Sequence, residues 1–220
     1  MVCHDLDKSG TGICKFGSIV IFVEGLVPGD LAEVTCAYNK GNLWHAELNK
    51  LINKSIYRIE PPCKAFNDCG GCSLQQIDYK YQVQIKNKTL LDNLKRIGSF
   101  TNLPGINIRL SSKIYNYRNK AIIPARKTRQ TGIITGYYRP GSHEIVNIEN
   151  CPVIYEDLNS VFIAIKTIVN KTGLKADPDR IEKGYLRHIV LKQGHYTGEI
   201  QVGFISGHSL NGEYNSIAIE

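Results

Sequence analysis

The 220-residue sequence predicts an α+β fold in two parts, a small β-barrel followed by a larger domain built on a mainly antiparallel sheet. Three features carry that expectation. Short β-branched and aromatic runs with glycines at the corners fill about the first 55 residues, which suits a small barrel better than a sandwich. Two later stretches have the three-four apolar spacing of amphipathic helices. The runs between and after them alternate as strands do.

Taken in order, residues 18–23 form the first clear strand-like run, and residues 25–30 carry the Pro28-Gly29 turn. Residues 30–38 resume the alternation up to a turn at 39–42, and residues 44–51 supply another strand. Residues 55–62 lead out through Pro61-Pro62. Beyond them, Ile77, Tyr81, Ile85, Leu91, Leu94 and Ile97 place a helix over residues 77–98, with Gly98 as its stop. Strands are expected at 106–110, 119–125, 132–139 and 144–148. Tyr155, Leu158, Val161, Phe162, Ile165, Ile168 and Val169 give the clearest helical pattern, ending near Gly173. Residues 186–192 and 199–205 then form a hairpin around 194–198. Residues 216–220 open a fresh alternation through Ile217 and Ile219, as if a further domain began there. The expected domains are therefore residues 1–58 and 59–215, with 216–220 starting a third.

A composition of 42% hydrophobic and 21% charged residues is that of a globular protein and excludes disorder or a collagen-like repeat. No apolar run approaches the ~20 residues of a membrane helix, and Asp5 and Asp7 spoil a signal peptide, so a soluble, cytoplasmic protein is expected. The charge is unevenly placed. Residues 1–60 hold 6 Lys+Arg against 7 Asp+Glu, while residues 61–220 hold 21 against 13. No acidic residue lies between Asp92 and Glu144, a stretch that contains Arg118, Lys120, Arg126, Lys127, Arg129 and Arg139. A polyanion is the natural partner, because neutralising phosphates releases condensed counterions. Tyr115, Tyr117, Tyr137 and Tyr138 stand in the same stretch, and such rings suit the unstacked bases of single-stranded RNA. The alternative is a solvated basic face on ordinary strands.

Cys63, Cys69 and Cys72 fall within ten residues, and Gly70-Gly71 between the close pair would supply left-handed backbone angles for a tight turn. Cys151, followed by Pro152, is the best fourth thiolate. Disulfides suit neither the compartment nor the size of the chain. Zinc would accept four thiolates, but the five-residue gap and the Cys-Pro pair favour a 4Fe-4S cluster. Cys3, Cys14 and Cys36 are scattered singly and read as small buried hydrophobes.

Several segments resemble the S-adenosylmethionine-dependent RNA (uracil-5-)-methyltransferases, in the branch that carries a four-iron cluster and modifies 23S ribosomal RNA. Asp5-Leu6-Asp7-Lys8-Ser9-Gly10-Thr11-Gly12 and Val27-Pro28-Gly29-Asp30 resemble the family's TRAM domain, an OB-like RNA-binding barrel. Arg58-Ile59-Glu60-Pro61-Pro62-Cys63 and Cys69-Gly70-Gly71-Cys72-Ser73-Leu74-Gln75-Gln76 resemble its cluster loop. Tyr117-Arg118-Asn119-Lys120, Gly136-Tyr137-Tyr138, Ile148-Glu149-Asn150-Cys151-Pro152 and Leu186-Arg187-His188 resemble its central domain, in order.

The resemblance implies cluster ligands Cys63, Cys69, Cys72 and Cys151. It also implies a reaction in which a thiolate attacks C6 of a flipped uracil, C5 is methylated and a base removes the C5 proton. That machinery belongs to a methyl-donor domain for which these residues provide no glycine-rich strand-to-helix turn, so no catalytic or S-adenosylmethionine-binding residue is assigned and the chain alone is expected to be inactive. Asp177-Pro178-Asp179-Arg180 reads as a turn. The expected role is RNA recognition, with Arg118, Lys120, Arg126, Lys127 and Arg129 on phosphates and Tyr117 stacking on a base. For Arg118 and Lys120 the competing role is local salt bridging on a strand. The partner is RNA, foremost ribosomal, with neither DNA nor a membrane, and the chain is expected to be a monomer. A stand-alone, metal-stabilised RNA-binding module without chemistry is the alternative; a small redox carrier has no specific support.

Overall fold

The computed structural model describes residues 1–41, 43–103, 105–182 and 184–207. They belong to two compact units, residues 1–62 with 72–112, and residues 63–71 with the segment from 113 onward. The expected third domain, from 216, lies outside the described residues.

In the first unit, β1 (Cys3–Leu6), β2 (Gly12–Phe16), β3 (Ile19–Val23), β4 (Leu31–Lys40) and β5 (Leu43–Asn53) form one sheet in the order β1-β2-β3-β5-β4. All pairs are antiparallel except β3 with β5. Alternation along β3 turns Ile21 and Val23 inward, where they pack with Cys3, Cys14, Leu26, Ala32 and Ala46. Each large apolar side chain so buried contributes about 1.5–3 kcal/mol. The expected OB-like barrel is not closed: β1 and β4 meet only at an isolated Val2–Leu31 bridge. Chain continuity explains this. The Pro28–Asp30 turn feeds β4 past β1, so the Cys3 amide donates to the Asp30 carbonyl (2.9 Å) and the Gly29 amide to the Cys3 carbonyl (2.8 Å), and no longer ladder follows.

Below this sheet, Asp30 is fully buried. Its carboxylate accepts from the amides of Val27 (2.7 Å) and Ser55 (2.8 Å) and from the Arg58 guanidinium. Helix α1 (Tyr79–Arg96) starts where Asp78 caps the amides of Lys80 and Tyr81 at 3.0 and 3.2 Å. Ile77, expected to begin the helix, is instead buried with Leu6 and Val27, and Tyr81 and Ile85 pack beside them. The Tyr81 ring stacks on Tyr57 with centroids 3.6 Å apart. Residues 106–110 were expected as a strand, yet they pair with no other strand among the described residues.

The second unit holds β6 (Lys120–Thr128), β7 (Gly132–Tyr138), β8 (Ile145–Asn147), β10 (Tyr185–Gln193) and β11 (Ile200–Ser206) in the order β11-β10-β6-β7-β8, with β9 (Lys175–Ala176) beside β10. All pairs are antiparallel except β9 with β10. Helix α2 (Glu156–Lys171) packs on β7 and β10 through Leu158, Phe162, Ile165 and Val169, the face expected from the sequence. Two asparagines three turns apart anchor α2 to the backbone. Asn159 pairs with both the amide and the carbonyl of Cys151 (3.0 and 2.8 Å), and Asn170 does the same with Ile133 (2.7 and 3.0 Å). At Gly136 a Cβ would lie 1.9 Å from the Val146 carbonyl oxygen, so only glycine lets β7 and β8 approach this closely. Among the described residues, no helix is long and apolar enough to cross a membrane.

Candidate cysteine centre and nucleic-acid interface

The loop carrying Cys63 and Cys69 is stitched by its own backbone. The Phe66 amide donates to Cys63 O (3.0 Å), and the Asp68 and Cys69 amides both reach Ala65 O (3.1 and 2.8 Å). It docks against the end of β7, where the Gly70 amide donates to the Tyr138 carbonyl at 2.9 Å. That docking explains the two glycines differently from the left-handed turn expected of them, for neither has a positive φ. A Cβ at Gly70 would come within 2.9 Å of Tyr138 O, and one at Gly71 would touch the Tyr137 ring at 3.6 Å. Asp68 adds an ion pair to Arg139 at 2.6 Å.

None of the seven cysteines is in a disulfide. Cys69 and Cys151 are buried, while Cys63 and Cys72 are half-buried. The Gly71 amide points at Cys69 Sγ across 3.4 Å, the kind of donor that stabilises a thiolate. Cys63, Cys69 and Cys151 fall in the second unit, and Cys72 opens the stretch assigned to the first. Among the described residues, however, no three His, Cys, Asp or Glu side chains are grouped as a metal requires. The donor set thus suits a soft metal in kind, without standing as a closed cage. Of the remaining cysteines, Cys3 and Cys14 are buried partners across β1 and β2, and their mutual hydrogen bond together with burial pushes the Cys3 thiol up. Cys36, expected inside, is exposed.

The structure divides the expected phosphate-binding residues into two groups. Arg126 is ion-paired with Asp179 and Asp177 and donates to His143 O, and Lys127 donates to Gly173 O at 3.1 Å. Arg139, from the same acid-free stretch, is held by Asp68 and Glu144. Arg118, Lys120 and Arg129 are exposed and carry no ion pair among the described residues, and Tyr117 is 51% exposed. Arg118 is fixed through its backbone, which bridges to Ile154 and accepts from the Tyr155 amide at 3.0 Å. Lys120 opens β6 directly opposite Lys192 of β10. Sequence reasoning missed Lys192, which lies outside the basic stretch, and Asn159, whose hold on Cys151 no local pattern signals.

No family model matches the chain. Over 92% of its length it is 38% identical to a Synechocystis sp. protein described as an uncharacterized RNA methyltransferase, and over 94% it is 35% identical to one from Bacillus cereus described in the same words. These matches cover 44% and 45% of those relatives, so the chain spans less than half of their length. Among solved structures it resembles the Pyrococcus abyssi tRNA (uracil-54, C5)-methyltransferase in complex with S-adenosyl-L-homocysteine, with a TM-score of 0.68 and 26% identity, over 97% of this chain and 48% of that one.

Proposed function

We propose that the chain is the RNA-recognition and cluster-bearing portion of an S-adenosylmethionine-dependent RNA (uracil-5-)-methyltransferase acting on ribosomal RNA. The single observation that carries this is similarity along nearly the whole chain to proteins described as RNA methyltransferases. The exposed cations beside Tyr117, without ion pairs among the described residues, agree with it. S-adenosylmethionine supplies the methyl group in such a reaction. The role proposed for these residues is RNA binding, and no S-adenosylmethionine-binding residue is assigned among them. The same reading puts the protein in the cytoplasm as a monomer, with no DNA or membrane partner.

Cys63, Cys69, Cys72 and Cys151 would hold a 4Fe-4S cluster, with zinc as the competing ion. Each of the four would bind such a metal as a thiolate. The role assigned to the cluster is structural, because methyl transfer needs no electrons. Asn159 fixes the backbone of Cys151 through both its amide and its carbonyl.

Titration of a labelled ribosomal RNA hairpin with the chain at several salt concentrations tests the RNA half. Affinity falling steeply with salt is expected, and a flat response would remove the basic surface from the binding site. Iron and acid-labile sulfide analysis after anaerobic purification tests the metal half. About four irons per chain are expected, fewer in Asn159→Ala, and stoichiometric zinc without iron would reverse the assignment.

A further inference from the structure

The β10–β11 turn is a built platform for an exposed aromatic ring. The Gly194 amide donates to Glu199 O at 2.9 Å, and Gly198 N to Gly194 O at 3.0 Å. Gln193, buried beneath, donates from Nε2 to Gly198 O and to Asp157 of α2. The Tyr155 hydroxyl is hydrogen-bonded to His195 Nδ1 at 2.8 Å, and the His195 ring meets Tyr196 edge-on with centroids 4.9 Å apart. On this scaffold Tyr196 is 97% exposed. Water rewards only its hydroxyl, yet the apolar body of the ring is held out by the turn as well.

Cations collect at the same end of the sheet. Lys192 immediately precedes Gln193 and faces Lys120 across the strands, a like-charge pair that disfavours the folded state unless an anion joins it. The Gln193 amide donates to Asn119 O at 2.9 Å, which ties this end to the Tyr117–Lys120 segment. No more than about 14 Å of backbone separates Lys192 from Tyr196. Two acids lie nearby: Asp157, engaged by Gln193, and Glu199, whose backbone closes the turn.

We propose that the turn is a base-stacking point for single-stranded RNA, with Tyr196 against an unstacked base and Lys120 and Lys192 on adjacent phosphate. This rests on the RNA reading above and adds to it a nucleotide contact outside the basic stretch. Stacking on one ring is sequence-tolerant, so the turn grips whichever base is presented, and selection of the nucleotide lies elsewhere.

The test uses the 220-residue chain and a labelled 12-nucleotide single-stranded RNA. Tyr196→Ala is expected to weaken binding on the order of tenfold, Tyr196→Phe to bind within about twofold of the parent, and Lys120→Ala with Lys192→Ala to lower the salt dependence. In Tyr196→Trp, fluorescence should be quenched by the RNA and not by an abasic strand of equal length, a signature that a merely structural ring would not give. If the parent binds RNA and Tyr196→Ala binds equally well, the stacking point is overturned while the RNA reading stands. A change in self-association alone would likewise overturn it, giving the ring to a protein contact. A parent that binds no RNA removes both.

Discussion

Cations from one acid-free stretch have opposite fates in the second unit. Arg126 and Arg139 are ion-paired with Asp177, Asp179, Asp68 and Glu144, whereas Arg118 and Lys120 stand exposed beside Tyr117, without ion pairs among the described residues, and Lys127, exposed too, donates only to Gly173 O. The acids that make the difference all come from outside the stretch, carried in by the cysteine loop, the β7–β8 turn and the residues after β9. A basic run in a sequence is therefore a supply of charge, and folding decides which part of it is left to meet phosphate. Lys192 shows the converse, since it stands in no basic run and the register of β10 on β6 sets it opposite Lys120.

The contrast is sharpest against Arg58, a cation whose partner Asp30 is fully buried. Arg58→Ala strands that carboxylate and is expected to cost about 3–5 kcal/mol in chemical denaturation, with RNA affinity unchanged. Burial alone would raise the Asp30 carboxyl, but hydrogen bonds from Arg58 and from the amides of Ser55 and Val27 hold it below the usual carboxylate range. A carboxyl lowered on folding stabilises above its unfolded pKa and loses that contribution as pH falls through the folded value. Unfolding of the first unit, followed by urea denaturation, should therefore become easier below about pH 4, and Asp30→Asn should flatten that dependence.

Next in size, Arg118→Ala combined with Lys120→Ala is expected to reduce RNA affinity about tenfold at low salt, roughly 1.4 kcal/mol, with no loss of Tm, since the repulsion between Lys120 and Lys192 is relieved. The smallest effect belongs to Arg126→Ala. Its partners are partly solvated, so its removal should lower stability by no more than about 1 kcal/mol and leave RNA binding alone. An RNA defect in Arg126→Ala larger than that of the Arg118 and Lys120 pair would break the contrast.

Much of the architecture was legible in the sequence where a pattern was strong and local. The apolar face of α2, the hairpin of β10 and β11, and the strands β6, β7 and β8 lie where periodicity and turn residues put them. β1 and β2 escaped because they are short and their alternation is blurred: the small Cys3, Gly12 and Cys14 are buried while the large Phe16 is 72% exposed. Residues 106–110 alternate convincingly, but a strand needs a partner, and Ile108 and Leu110 remain 39% and 55% exposed. The site was legible by residue type and not by pairing. Nothing near Arg126 in the sequence announces Asp177 and Asp179, and Gly70 reads as a turn residue until β7 is seen against it.

The most direct measurement is the slope of log affinity against log salt for a single-stranded RNA, taken for the parent chain and two double variants. Arg118→Ala with Lys120→Ala should make the slope shallower by about 1.4, because two phosphates are then no longer neutralised, while Arg126→Ala with Arg139→Ala, both ion-paired, should leave it unchanged. Equal reductions in the two variants, or a reduction confined to the second, would contradict the division between paired and unpaired cations.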